Sequence, residues 1–593
     1  MSQERRVLEI RDILGEPDRM ASVIARQYDQ WKSARNTWET EKRELRNYIF
    51  ATDTTTTTNA QLPWKNKTTL PKLCQIRDNL HANYMAALFP HEDWLSWEGA
   101  GDEDEAASKR KAIEEYMKNK TRISEFRNVV SQLVLDYIDY GNAFADVVYV
   151  AEEFEDDDGN VVKGYEGPRL VRISPHDIVF NIMSGSFINS PKITRHITTM
   201  GDLVKNASDK PELQYNLDAV STLRERRAQL AGYDPSDINK SVGYQIDGFG
   251  DTAQYFHSDM VELLEFEGDF YDVVNNELHE NRVITIVDRH YVIRNEPMPS
   301  WLGKTTKRHV GWRLRPDNLM AMGPLDNLVG MQYRIDHLEN LKADVFDLIA
   351  HPPIKIQGNV SEFVWAPMEK IYVDEDGDVQ MMAPDTNALN ADMQIQILEQ
   401  KMEEYAGAPR EAMGIRTPGE KTAYEIQALE NAAGRIFQNK IQHFEEQFLE
   451  PLLNVMLDVA RRNIQSDVIR IFDDDFGAAE FLKVGPEDIQ AKGKLRPIGA
   501  RHFSRRAQIV QELTQFMNTI GQDPGVRVHV SGKKLAEMFE EFIGVEGLVR
   551  DNVAVIEEMQ TQSLMSAAQE EQGMMEDTPG IDDIDLPDDE AMR

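Results

Sequence analysis

Residues 325–353 read LDNLVGMQYRIDHLENLKADVFDLIAHPP, and this stretch decides how the remainder of the chain is read. Leu325, Leu328, Met331, Ile335, Leu338, Leu341, Val345 and Leu348 recur every three or four positions. Such spacing predicts an amphipathic helix of about seven turns. Pro352 and Pro353 end it, because proline lacks an amide hydrogen and its ring clashes with the preceding turn. Short β-type runs follow at 354–356, 363–365 and 371–373, with Asp376-Gly377 as a turn. A second helix carries Ile395, Leu398, Met402 and Tyr405. Residues 406–420, with three glycines and two prolines, read as a loop. A helical pattern then runs over 421–462 through Ile426, Leu429, Ile436, Phe444, Phe448, Leu452, Met456 and Val459. At ~1.5 Å per residue it would span about 60 Å, and Pro451 is expected to kink it. Short strands and turns are expected over 464–500 and helix over 501–568. From 570 onward the chain has ten acidic residues and one basic one, a composition expected of a disordered tail.

Upstream, residues 3–50 suit one or two surface-lying helices, 73–89 a helix, and 106–141 one longer helical stretch. Residues 143–300 read as mostly antiparallel β structure. Strand-like runs lie at 143–150, 169–173, 261–266, 282–287 and 291–294, and Asp158-Gly159-Asn160 has the composition of a hairpin turn. A polar helical insertion is expected around 199–245. The fold class is therefore α+β.

The chain has 593 residues, with 102 Asp plus Glu against 65 Lys plus Arg and a formal charge of −37. So acidic a surface excludes a protein that grips phosphates over its whole exterior. Mean hydropathy is −0.51, and no run approaches the ~18 apolar residues of a membrane span. Residues 1–6 are charged and lack a secretory apolar segment, and Cys74 is the single cysteine. These features are expected of a soluble intracellular protein, or of a particle assembled inside a cell.

Several motifs imitate chemistry. Residues 414–422 approach a phosphate-cradling loop, but Glu420 stands between Gly419 and Lys421, where it would oppose the phosphates and displace the lysine. Gly303-Lys304-Thr305 fails too, with Met298 five positions before Gly303. Asp374, Asp376, Asp378 and Asp385 follow a calcium-loop register, yet Val379 occupies the glycine position and position 12 is not glutamate. No metal-binding histidine pair, nucleophile elbow or activated cysteine is present, so no enzyme signature is read. One basic island breaks the acidic background: Lys304, Lys307, Arg308, Arg313 and Arg315, interleaved with Trp301, His309 and Trp312. It suits contact with an acidic neighbouring subunit first, DNA second, or an ordinary solvated strand.

Two amphipathic helices flanking a β insertion, then a Gly/Pro loop and a very long proline-interrupted helix, make a plan suited to helices packed side by side in a ring. The chain resembles the portal proteins of tailed bacteriophages, most of all those of short-tailed phages. The resemblance rests on Met322-Gly323-Pro324-Leu325 opening the first helix and His351-Pro352-Pro353 closing it. It rests further on residues 416–426 opening the long helix, and on Phe448-Leu449-Glu450-Pro451-Leu452-Leu453 at its break. It implies a wing over 1–323, stem helices at 324–350 and 388–405, and a clip at 351–387. It also implies a tunnel loop at 406–420, a kinked wing helix with following strands over 421–499, a crown over 500–568 and the acidic tail at 569–593. Arg410, Gly414, Arg416 and Gly419 would then line the narrowest part of a DNA channel.

The family resemblance implies a ring of about twelve copies at one capsid vertex of the virion, assembled in the host cytoplasm. Double-stranded DNA passes through such a ring without sequence specificity. The partners implied are the terminase large subunit, tail adaptor proteins, and capsid and scaffold proteins, with no membrane, no cofactor and no enzyme activity. The charge fits that reading, since an acidic wall keeps a duplex mobile where a basic one would hold it. A non-channel helical scaffold or adaptor, and a nucleotide-driven packaging enzyme built on residues 414–422, are the competing readings.

Overall fold

Two helices open the chain in the computed structural model, which describes residues 18–498 with interruptions, the longest at 225–259, 359–371 and 407–437. Chain packing divides the protein into one unit of residues 1–471 with 479–503 and another of 472–478 with 504–593. The account below concerns the first. The expected helices at 501–568, the acidic tail and the hairpin turn at 158–160 lie outside the described residues.

Helices α1 (Arg19–Ala34), α2 (Asn36–Phe50) and α3 (Lys72–Leu88) are followed by strand β1 (Leu95–Gly99) and helices α4 (Glu103–Ile123) and α5 (Phe126–Asp139). The single helix expected over 106–141 is therefore broken. Glu125 sits at φ +54°, in the left-handed region that non-glycine residues rarely enter. Tertiary packing overrides the local pattern: the break seats Phe126 against Trp94, their rings stacked at 5.5 Å, and Trp94 meets Phe89 edge-on at 4.9 Å.

The β region follows as β2 (Asn142–Glu155), β3 (Val161–Ile173), β4 (Ile178–Phe180) and β5 (Lys192–Thr199). After helix α6 (Met200–Asp209) come β6 (Met260–Asp272), β7 (Glu277–Val287), β8 (Tyr291–Pro297), β9 (Arg308–Gly311), β10 (Arg313–Arg315) and β11 (Asn318–Met322). The larger sheet has order β4-β5-β6-β7-β8, and the smaller β3-β2-β9. All these pairings are antiparallel, as the alternating sequence runs predict. Strand β6 shows the two-residue period directly. Leu264 and Phe266 face α1, where Ala21, Ile24 and Tyr28 are buried, while Val261 and Leu263 face Met200 and Leu203 of α6.

Helix α7 (Val329–Ala350) is preceded by a 3-10 turn, Asp326–Leu328. Beyond it lie β12 (Ile354–Gln357), β13 (Asp378–Met381), a 3-10 segment (Thr386–Ala391) and α8 (Asp392–Ala406). Helical residues 438–444 continue into a π-helical turn, Glu445–Leu449, and then α9 (Glu450–Asn463). Strands β14 (Asp467–Asp473) and β15 (Ala478–Val484), the short helix α10 (Pro486–Ile489) and β16 (Gly493–Pro497) complete the described chain. Pro451 falls in the first turn of α9, immediately after the π turn, where the Glu450 amide donates to the Glu445 carbonyl. The wider turn accommodates the missing proline amide, so the expected irregularity is a π bulge.

The main core joins distant parts of the sequence. Leu45 and Tyr48 of α2, Tyr84 of α3, Tyr137 of α5, Leu328 and Ile335 near the start of α7, Met402 of α8, and Phe444, Leu452 and Met456 belong to one buried cluster. Strand β1 pairs antiparallel with β16, Trp97 opposite Leu495. Gly493 is required there, since a Cβ would stand 2.4 Å from the Glu98 carbonyl oxygen.

Candidate functional site

The start of α7 is fixed where two chain segments cross. Gly141 has φ +71°, and a Cβ on it would meet the Gly323 nitrogen at 2.3 Å, so only glycine allows the approach. Fully buried Asn142 donates from Nδ2 to the Tyr140 and Ala321 carbonyls, both at 3.0 Å, and accepts the Ala321 amide at 2.9 Å. The Gly323 amide donates to Asp326 Oδ2 at 2.8 Å, and Lys42 Nζ binds Asp326 Oδ1. These contacts anchor the turn before α7 to α2 and β2.

Along α7 the apolar stripe changes surroundings. Leu328, Ile335 and Leu338 are buried against the chain's own core, together with Ile395 and Met402 of α8. Lys342 ties the two helices by pairing with Asp392 at 2.8 Å. From Phe346 onward the stripe is bare: Phe346 is 53% exposed, and Leu348 and Ile349 are exposed as well. The β12–β13 ribbon, next in the chain, carries apolar residues as well. Its register sets Ile354 opposite Met381 and Ile356 opposite Val379, so all four side chains project from one face. Lys355, Gln357, Asp378 and Gln380 occupy the other. Ile356 and Met381 are exposed, as are Met382, Met393, Ile397 and Tyr405 nearby in sequence. The strand beginning at Asp378 was hidden in the sequence by its run of aspartates, which read only as a turn. The runs at 363–365 and 371–373 are not described as strands: 363–365, Ile371 and Val373 lie outside the described residues.

The basic island does not act as one surface. Lys307 is 1% exposed and its Nζ pairs with Glu265 at 2.7 Å and with Glu267, with Asp146 at 3.8 Å. Burial alone would lower its pKa, but the three carboxylates reverse that and push it up. Burial raises Asp146 to about 6, whereas Glu265, despite burial, is held down at about 2 by Lys307. Lys307 is therefore an internal bridge between β6 and β2, which corrects its expected role in subunit or DNA contact. Of the interleaved aromatics, His309 and Trp312 are internal too, and Trp301 lies outside the described residues. Trp312 packs against Tyr137 at 5.1 Å, and burial pushes His309 down to about 3, leaving it neutral to donate from Nε2 to Asn142 Oδ1 at 3.0 Å. Arg308 is half-buried and donates to the Thr305 and Lys307 carbonyls. Arg313 and Arg315 alone, of those described, remain exposed on the β10–β11 hairpin. Glu265 and Glu267, two residues apart in an apolar strand, were the sequence signal that a cation must be buried with them.

Lys304 and the loop residues Arg410, Gly414, Arg416 and Gly419 lie outside the described residues. Among those described, no group of three or more His, Cys, Asp or Glu is placed to hold a metal ion, and no helix is long and apolar enough to cross a membrane. Comparison with protein-family models and with curated proteins found no match to this chain.

Proposed function

We propose that this protein is a ring-forming channel subunit of the portal type. About twelve copies would surround a pore at one capsid vertex, through which double-stranded DNA is packaged and later leaves. One observation carries the reading: among the described residues, Ile356 and Met381 on the apolar face of the β12–β13 ribbon and Phe346, Leu348 and Ile349 of α7 lie exposed. A two-stranded ribbon is marginal by itself in water, and contiguous exposed apolar surface marks an interaction site. A second copy carries the same surface, and a head-to-tail contact that closes makes a ring. The ribbon, which lies between α7 and α8 in the chain, is the part proposed to dock the terminase large subunit and then tail adaptors. Residues 406–420, at the end of α8, are the proposed tunnel loop. The protein acts as a conduit in the virion and not as an enzyme.

Mass photometry of the full chain at micromolar concentration tests this. Rings of eleven to thirteen copies, in the absence of capsid, are expected; monomers and dimers alone would overturn it. The scaffold reading shares the bare surface, and differs in having no pore.

A further inference from the structure

Residues 65–70, just before α3, lie extended along α7, and the side chains that hold them and the start of α3 are spaced every fourth residue: Gln332, Asp336, Asn340 and Asp344. Four residues of helix rise about 6 Å and two residues of extended chain about 6.6 Å, so the two repeats match. Asp344 accepts the Lys65 and Asn66 amides at 3.0 and 2.9 Å. Asn340 accepts the Thr68 amide at 2.7 Å and returns a bond to the Thr68 carbonyl at 2.9 Å. Asp336 Oδ1 accepts the Leu70 amide at 3.0 Å. Gln332 donates to the Leu70 carbonyl at 2.6 Å and to Asp336 Oδ1 at 2.7 Å, and accepts the Leu73 amide at 3.2 Å. Nearly every bond is to main chain, so the ladder recognises an extended backbone more than particular side chains.

Two polar atoms here are unsatisfied among the described residues: the Thr69 hydroxyl in the strap and Oδ2 of Asp336, whose side chain is fully buried. A buried carboxylate oxygen without a partner is costly when ionised, and burial pushes this group up to about 7 despite the Leu70 and Gln332 donors. Among the described residues no charged side chain pairs with it. From α3, Lys72 is engaged with Glu403 of α8 at 2.6 Å. On α7 itself, His337 is beside Arg334, and Asp344 and Asp347 serve the far end of the strap.

We propose that residues 65–70 form a proton-dependent latch on α7, closed while the Asp336 carboxyl keeps its proton and loosened when it ionises. The closed latch binds a proton that the solvated, open one releases, because an exposed aspartate titrates near 3.9. Closure is therefore strongest at low pH, weakens up to about tenfold per pH unit as pH rises toward 7, and levels off above it. Opening exposes the polar ladder of the helix whose outer half is already bare.

Hydrogen exchange of the amides of 65–73 in the full chain, at pH 5.5 and 7.5 and corrected for intrinsic exchange, tests the latch. Protection should fall at least tenfold over that interval. Asp336→Asn should remove the pH dependence at 65–73. Equal corrected protection at the two pH values, or an unchanged pH dependence in Asp336→Asn, would overturn the proposal. Should the variant not fold, infrared difference spectra of the parent decide: a buried protonated carboxyl must disappear as the strap loses protection, and loss of protection without that signal contradicts the latch.

Discussion

The inner and outer halves of α7 share one sequence rhythm and meet different fates. Leu328, Ile335 and Leu338 sit in the chain's own core with Ile395 and Met402, and the polar side of the same turns is buttoned to residues 65–73. Phe346, Leu348 and Ile349 continue the pattern but are exposed. Periodicity thus states which face of a helix is apolar, and says nothing about what covers it.

The sharpest break in that comparison comes from the inner half. Ile335→Ala should destabilise the isolated chain by about 2–5 kcal/mol, through lost transfer energy and the cavity left behind, seen as a lower denaturant midpoint. At least as large is Lys307→Met, which would leave Glu265, Glu267 and Asp146 buried without their cation at a cost of about 3–5 kcal/mol; a chevron or equilibrium melt measures it, and a neutral result would show that the carboxylates take up protons cheaply. The outer half predicts the reverse. Phe346→Ser with Leu348→Ser and Ile349→Ser should alter the monomer's stability by no more than about 1 kcal/mol and yet abolish higher assembly by sedimentation. If that triple variant assembles as the parent does, the bare stripe is not an interface. Smallest in stability terms is Arg313→Glu with Arg315→Glu, within about 0.5 kcal/mol for exposed residues. Under the subunit-contact reading it weakens assembly in low salt and less so in high salt.

The elements themselves were legible where local pattern and tertiary packing agree. Helices α3, α7 and α8 and strands β2, β3, β6, β7 and β8 follow their apolar periods, and Pro352-Pro353 ends α7 just where the chain turns. Three features were not legible, each for the same reason. The break at Glu125 has no glycine or proline, and follows from seating Phe126 on Trp94. Strand β1 is only five residues long and gains its partner, β16, from nearly four hundred positions away. Lys307 looked like surface charge because its carboxylates lie on other strands. The bare ribbon was partly legible, since its alternation is plain at Ile354 and Ile356, but its second strand lay concealed among aspartates.

Electron microscopy of the purified full chain tests the central claim most directly, because it reports both closure and the pore. The proposal predicts closed rings of about twelve copies around an open centre, absent from the triple serine variant at matched concentration. Open filaments, solid particles without a central opening, or unassembled chains under the same conditions would contradict it.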